Sequence, residues 1–155
     1  MQPIQTPITG QEKPDDPQSA LAALVQFYHA FNTRDLAEME LNWENTPDVA
    51  MDNPLGGIKR GWEEISAVYC RIFGGPAQVY VEFFDYTLHE HGEVFYVVGR
   101  ERGRFAKGGE VIPLAIRTSR IFRKTPTGWK QIHHHGSIED PALLERYQKA
   151  VTAAR

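Results

Sequence analysis

The feature that most constrains this chain is a series of four long stretches after Pro76 in which apolar and polar residues alternate. The stretches cover residues 77–90, 93–106, 110–124 and 128–138, with glycines at or near the breaks between them. Alternation with a period of two places successive side chains on opposite faces of a strand. Short breaks that contain glycine are typical of hairpins. The sequence therefore predicts an antiparallel meander of four long strands.

The residues before the meander follow a helical period instead. Apolar side chains recur every three to four residues in stretches that end near Asn32, Trp43 and Phe73. A short strand, 48–52, is predicted between the second and third helices. Asp140–Pro141 combines a capping residue with a proline at the first helical position, which predicts a closing helix. This order predicts an α+β fold in which helices cover one face of a curved antiparallel sheet.

Composition sets the domain organisation and excludes several classes of protein. Residues 1–16 contain three prolines and little apolar periodicity, so we expect a flexible tail followed by one domain over 17–155. A mean hydropathy of −0.44 without a long apolar run excludes a membrane span. A net charge of −3 argues against a nucleic-acid partner. One cysteine, Cys70, and no signal-peptide pattern in the first residues predict a cytoplasmic protein.

Two groups of motifs carry a family resemblance. The first comprises Val25–Tyr28, Asp35–Leu36 and the loop Asn53–Gly56, and the second is Trp129–Ser137 with its Trp…His-x-His-x-Ser pattern. Together they resemble the nuclear transport factor 2-like superfamily of ketosteroid isomerases, SnoaL-like proteins and the calcium/calmodulin-dependent kinase II association domain. The similarity spans Ala20–Pro141. It implies a cone-shaped fold whose N-terminal helices and strongly curved antiparallel sheet enclose a pocket.

The resemblance to the isomerases assigns roles residue by residue. Tyr28 matches the tyrosine that donates a hydrogen bond to the substrate oxyanion. Asn53 stands where the isomerases carry their general-base aspartate, and an amide cannot abstract a proton. The neighbouring Asp52 can replace it only if the strand shifts by one residue. The second oxyanion donor is replaced by a residue near Thr118–Arg120, so the resemblance implies the pocket and leaves the reaction open.

Pleat counting predicts which side chains share the buried face of the meander. A two-residue turn at Gly108–Gly109 places Glu101 opposite Ile116. A turn at His91–Gly92 extends the same face to the first strand of the meander. A last hairpin in which Lys124 faces Trp129 extends it to the fourth strand. The polar side chains assigned to this face are Glu82, Glu101, Tyr86, Thr118, Arg120, Gln131, His133 and His135.

Charges on an apolar face form either a network that satisfies itself or a ligand site, because unpaired burial is costly. We predict catalytic roles for Tyr28, Asp52, Glu101 and His133. We predict ligand contacts from Trp43, Asn53, Glu82, Tyr86, Thr118, Arg120 and His135.

The histidine run raises the question of a metal. His133, His135 and Glu101 would supply two imidazoles and a carboxylate. No further ligand motif accompanies them, so we predict neither a metal nor another cofactor. The outer sheet face carries apolar residues among its arginines, namely Tyr96, Val98, Ile121 and Ile132, which predicts a homodimer through that face.

Two functions from different classes follow from these observations. The first is a pocket protein that binds a small, mostly apolar organic molecule, with or without isomerising, cyclising or hydrating it. The second is a ligand-binding or oligomerisation module without chemistry, like the kinase association domain. The fold alone does not separate them, because this superfold carries both.

Overall fold

A computed structural model describes residues 1–153, so the last two residues of the predicted domain lie outside the described residues. No helix in residues 1–153 is both long and apolar enough to cross a membrane. The elements in chain order are α1 (Ala20–Thr33), α2 (Leu36–Asn42), β1 (Ala50–Asp52), β2 (Ile58–Arg60), α3 (Gly61–Gly74), β3 (Gln78–His91), β4 (Val94–Lys107), β5 (Glu110–Thr125), β6 (Gly128–Ser137) and α4 (Pro141–Thr152).

Side-chain caps fix where the helices begin. The Ser19 hydroxyl accepts a hydrogen bond from the Ala22 N–H, so α1 begins one turn later than the predicted start at Asp16–Pro17. Asp35 caps α2 in the same way. Asp140 caps α4 and is followed by proline at the first turn, as the sequence predicts.

The sheet has six strands in the order β2-β1-β6-β5-β4-β3 and is not closed. The α+β prediction is confirmed, with the helices arranged as in the predicted family fold. One pair departs from the predicted antiparallel pattern, because β1 runs parallel to β6. The short β2 then turns back against β1. The sheet is therefore mixed rather than wholly antiparallel.

The central hairpin forms in the predicted register. Lys107 faces Glu110 and Glu101 faces Ile116 across β4 and β5. Alternate residues of β5, from Ile112 to Phe122, are buried while their neighbours are exposed or half-buried. The inner face of this hairpin therefore follows from its turn alone.

A β-bulge in β6 overturns part of the prediction for the last strand. Lys124 faces Trp129 as predicted, and Phe122 faces Gln131, but Ile121 faces His133 because Ile132 is an extra residue. Beyond the bulge the inward and outward positions exchange. His133 and His135 consequently do not lie on the inner face.

The hairpin between β3 and β4 also differs from the prediction. His91 faces Val94, so the turn lies one residue later than His91–Gly92, which moves each partner by two residues and leaves the two faces unchanged. A second bulge, between Phe84 and Thr87, shifts the register by one residue, so Glu82 pairs with Arg102 on the outer face. Tyr86 lies within this bulge on the inner side, where it is buried.

The N-terminal segment is not separate from the domain, in contrast to the predicted flexible tail. Ile4 and Ile8 form four backbone hydrogen bonds of 2.8–3.1 Å with Tyr86 and Phe83 of β3. The Ile8 side chain is 3% exposed and belongs to the core. The segment thus covers the edge of the sheet at β3, where the backbone N–H and C=O groups of an edge strand would otherwise lack partners.

Candidate functional site

A cavity of about 740 Å³ lies between α1, α3 and α4 and the inner face of the sheet. Its wall is mostly apolar and includes Phe27, Val68 and Leu114. The polar or titratable side chains on the wall are Asn53, Tyr69, Cys70, Arg71, Glu101, Lys107, Arg120, His134 and Tyr147.

Three of the predicted site residues meet beside this cavity. The Tyr28 hydroxyl donates to Glu101 Oε1 at 2.7 Å, and Arg120 Nη2 donates to the same oxygen at 2.9 Å. Arg120 Nε lies 3.4 Å from the Tyr28 oxygen. Both strong bonds end on Oε1 of Glu101, so Oε2 takes part in neither. Glu101 therefore has a second oxygen through which it can interact with a bound molecule.

The Arg120 guanidinium is fixed by further hydrogen bonds and by an aromatic ring. Nη1 donates to Gln131 Oε1 at 2.8 Å, and Gln131 in turn donates to Asn42 at 3.1 Å. The guanidinium carbon lies 3.6 Å above the Phe27 ring, a cation–π contact. Arg120 is 2% exposed. This network explains how a charge is accommodated in an apolar wall.

The protonation states of the cluster follow from burial and neighbouring charge. Burial and the Glu101 carboxylate raise the pKa of Tyr28 well above its usual value, so its hydroxyl remains a donor. Burial alone would lower the pKa of Arg120, but Tyr28 and Glu101 outweigh it and the pKa is raised. The cluster therefore holds a charged guanidinium and a neutral phenol.

His134 is the site residue that sequence reasoning missed on β6. It faces Arg120 across the strands, is 5% exposed and lines the cavity. Burial and the Arg120 charge lower its pKa well below 6.5, so the ring is neutral near pH 7. Nδ1 lies 3.3 Å from the Ser119 carbonyl oxygen, which can only accept, so Nδ1 carries the proton. Nε2 is left with a free lone pair.

The loop that resembles the isomerases' base-bearing loop places its two candidate residues, Asp52 and Asn53, on different sides of the sheet. Asn53 lines the cavity, and its Oδ1 accepts the Leu55 N–H at 2.9 Å. Asp52 is not among the residues lining the cavity and pairs with His135 Nδ1 at 2.8 Å. The carboxylate is therefore drawn toward the outer side of the sheet, and the amide takes the inner position.

Three further predicted residues are buried near the cluster without lining the cavity. Tyr86 stacks on Phe83 at 5.1 Å, and Phe83 stacks on Tyr28 at 5.6 Å. Thr118 Oγ1 and Trp43 Nε1 are buried and have no hydrogen-bond partner in residues 1–153. These residues form the layer behind the site.

Four predicted residues lie elsewhere. Glu82 forms an ion pair with Arg102 at 2.7 Å on the outer face. Asp52 and His135 form the outer pair, and His133 Nδ1 lies 3.1 Å from the Ala50 carbonyl oxygen. Two bulges, neither visible in the sequence, account for the misplaced side chains: the bulge in β6 for the histidines and the bulge in β3 for Glu82.

The described part of the chain contains no group of three or more histidine, cysteine, aspartate or glutamate side chains arranged to hold a metal. His133 and His135 face away from Glu101, so the two-histidine, one-carboxylate set considered from the sequence is not assembled.

These features define an α+β protein with a cavity between its helices and sheet and a buried polar cluster in the cavity wall. The sequence profile of the SnoaL-like domain matches residues 20–141. The chain belongs to the SnoaL-like family.

Several solved structures share this fold. A nuclear transport factor 2-like superfamily protein from Salmonella enterica is 19% identical, with a TM-score of 0.68 over 75% of this chain and 85% of that one. A Streptomyces avermitilis protein described as a candidate dehydratase of that family is 25% identical, with a TM-score of 0.66 over 75% and 90%.

A third structure, from Thiobacillus denitrificans, is described as a candidate calcium/calmodulin-dependent protein kinase type II association domain. It is 26% identical, with a TM-score of 0.63 over 83% of this chain and all of that one. Curated protein sequences give no significant match. The two descriptions correspond to the two classes of function considered from the sequence.

Proposed function

We propose that this chain binds a small, mostly apolar organic molecule in the cavity and performs acid–base chemistry on it without a cofactor. The observation that carries the proposal is the polar cluster in an apolar wall. The cavity volume of about 740 Å³ suits such a ligand. The reactions considered are isomerisation, cyclisation and hydration or its reverse, since each needs only proton transfer at positioned groups.

Two groups on the wall are suited to proton transfer. His134 is neutral near pH 7, with Nε2 as a base. Glu101 Oε2 is the second candidate, in a carboxylate whose orientation is fixed by Tyr28 and Arg120 through Oε1. In this proposal Tyr28 and Arg120 are positioning residues, because they act through Glu101.

Cys70 provides a direct test of binding. It is the only cysteine, is exposed, and lines the cavity. A panel of neutral aromatic and alicyclic compounds would be screened by thermal shift and by the rate of Cys70 alkylation with iodoacetamide. We expect compounds that raise the melting temperature to slow alkylation as well.

A blocked-cavity variant and a matched control make the test specific. Leu114→Trp fills the cavity, because Leu114 is on its wall, and should abolish both effects. Leu41→Trp, at a position 60% exposed on α2, should leave both unchanged. Binding that survives in Leu114→Trp would contradict the proposal.

Turnover is tested separately from binding. Bound compounds would be incubated with the protein and analysed by mass spectrometry and NMR for isomers or for gain or loss of water. His134→Gln should retain binding and lose at least about tenfold in rate. Equal rates in both proteins would remove His134 from the chemistry.

A second candidate function is an association module without chemistry. Asn53 in the position of the base favours it, and so does the likeness to the Thiobacillus denitrificans structure. In this case the outer sheet face would form a homodimer, and no compound in the panel would be converted.

A further inference from the structure

The strongest unassigned feature of the cavity is the hydroxyl of Tyr69. Tyr69 projects from α3 onto the cavity wall and is 3% exposed. Its hydroxyl donates to the sulfur of Met51, Sδ, at 4.0 Å. A thioether sulfur is a weak acceptor. In the described residues, the proton of Tyr69 therefore has no strong acceptor.

Two donor groups, the Arg120 guanidinium and the Trp43 N–H, act on the pKa of the same hydroxyl. Burial raises the pKa of Tyr69 to about 12, while the positive charge of Arg120 and the N–H groups of Trp43 and Arg120 act in the opposite direction. Trp43 Nε1 is buried without a partner in proper hydrogen-bond geometry within residues 1–153. With its pKa raised, Tyr69 keeps its proton near neutral pH, so its hydroxyl remains available as a hydrogen-bond donor.

The hydroxyl of Tyr28, which matches the oxyanion donor of the isomerases, already donates its proton within the protein. Tyr28 donates its proton to Glu101 at 2.7 Å and is not among the residues lining the cavity. A ligand in the cavity therefore meets the hydroxyl of Tyr69 rather than that of Tyr28.

We propose that Tyr69 is the residue that binds the ligand's polar group, and that this group is a neutral carbonyl oxygen. The inference rests on the proposed binding function and narrows it to one ligand class. A carbonyl oxygen accepts the Tyr69 proton without bringing a charge into the wall. Beside Tyr69, the Arg120 guanidinium is already paired with the Glu101 carboxylate at 2.9 Å, so Arg120 offers no uncompensated charge to a carboxylate ligand.

A pair of isosteric probes tests the inference. 2-Acetylnaphthalene carries a carbonyl where 2-isopropenylnaphthalene carries a methylene group, and both are measured by calorimetric titration. Wild-type protein should bind the ketone about fivefold more tightly, the usual net effect of one neutral hydrogen bond. Tyr69→Phe should bind the two probes equally.

Tyr147→Phe is the matched control. Tyr147 is the other tyrosine on the wall and is also buried. This variant should keep the preference for the ketone. Loss of the preference in Tyr147→Phe, with its retention in Tyr69→Phe, would overturn the inference.

A spectroscopic measurement distinguishes a direct hydrogen bond from a structural effect. With the carbonyl labelled with carbon-13, infrared difference spectra of the bound ketone should show a lower C=O stretching frequency in wild type than in Tyr69→Phe. Equal affinity of wild type for both probes, or an unchanged frequency in Tyr69→Phe, would overturn the inference and leave the binding function standing. Failure of wild type to bind either probe would overturn both.

Discussion

Arg120 is the residue at which the polar contacts beneath the cavity converge. Its guanidinium bonds to Glu101 and Gln131, lies 3.4 Å from the Tyr28 oxygen, and stacks on Phe27. The sequence allowed either a dry, self-satisfied network or an open site at this position. The burial of Arg120 and the number of its partners indicate a network that also forms part of the cavity wall.

The first prediction concerns this network. Arg120→Ala leaves the Glu101 carboxylate buried without its cation, so the free energy of unfolding should fall by about 3–5 kcal/mol. Urea unfolding followed by circular dichroism measures the change. Arg102→Ala, which breaks a half-exposed pair with Glu82, is the control and should have little effect. Similar losses in the two variants would show that the inner pair is solvated.

The second prediction uses the lowered pKa of His134. The folded protein resists protonation of this ring, whereas the unfolded chain takes up the proton near pH 6.5. The free energy of unfolding should therefore decrease as pH falls below about 6.5, with a contribution of up to about 1.4 kcal/mol per pH unit from this residue.

Denaturant unfolding from pH 7.5 to pH 5 tests that sign. His134→Gln should flatten the acid side of the profile, and His91→Gln, at an exposed position, should reproduce the wild-type slope. A His134→Gln profile as steep as that of wild type would assign the acid sensitivity to other groups.

The N-terminal segment is the element whose role differs most from expectation. It lacks helical or strand periodicity, yet it adds backbone hydrogen bonds to β3 and places Ile8 in the core. Behind it, Asn32 donates to the carbonyl oxygens of Thr9 and Val81, which ties the segment to α1 and β3. The segment is therefore part of the support for the strand that bears Tyr86.

The third prediction compares two isoleucines of this segment. Ile8→Ala removes a buried side chain and should lower the free energy of unfolding by about 2–5 kcal/mol. Ile4→Ala, at a position 45% exposed, should have a much smaller effect. Equal and small effects in thermal and urea unfolding would show that the segment does not contribute to the fold's stability.

For the whole molecule, the outer sheet face is the surface that suggests self-association. Arg100 and Arg117 share Glu139, and Arg102 lies over the Phe84 ring, so these arginines are partly satisfied within one chain. Val98 is 48% exposed among them. The same face of a second copy of the protein would cover Val98 and the apolar surface around it.

The fourth prediction is that the protein is a homodimer through this face. Light scattering at micromolar concentration should give twice the 17.6 kDa mass of one chain. Val98→Asp should shift the protein to monomer, because it places a charge in the interface. Leu41→Asp, on the helical layer, should leave the dimer intact. A monomeric wild type would exclude this assembly.

The sequence by itself determined the α+β class, the central hairpin and the placement of Glu101, Thr118 and Arg120 on its inner face. These depend on local signals, namely a glycine turn of known length and strict alternation on both sides of it. The helices were also predictable, because caps and apolar period act over a few residues.

Only the tertiary structure decided which histidine enters the wall, where Glu82 points, and how the first residues are held. Each of these three features depends on packing between segments that are far apart in the sequence. The bulge at Ile132 turns His134 inward in a strand that pairs with both β5 and β1, and the bulge in β3 brings both Phe83 and Tyr86 to the core and turns Glu82 outward. A single extra residue reverses every later side chain of a strand, and its position is set by packing across the sheet rather than by the residues around it.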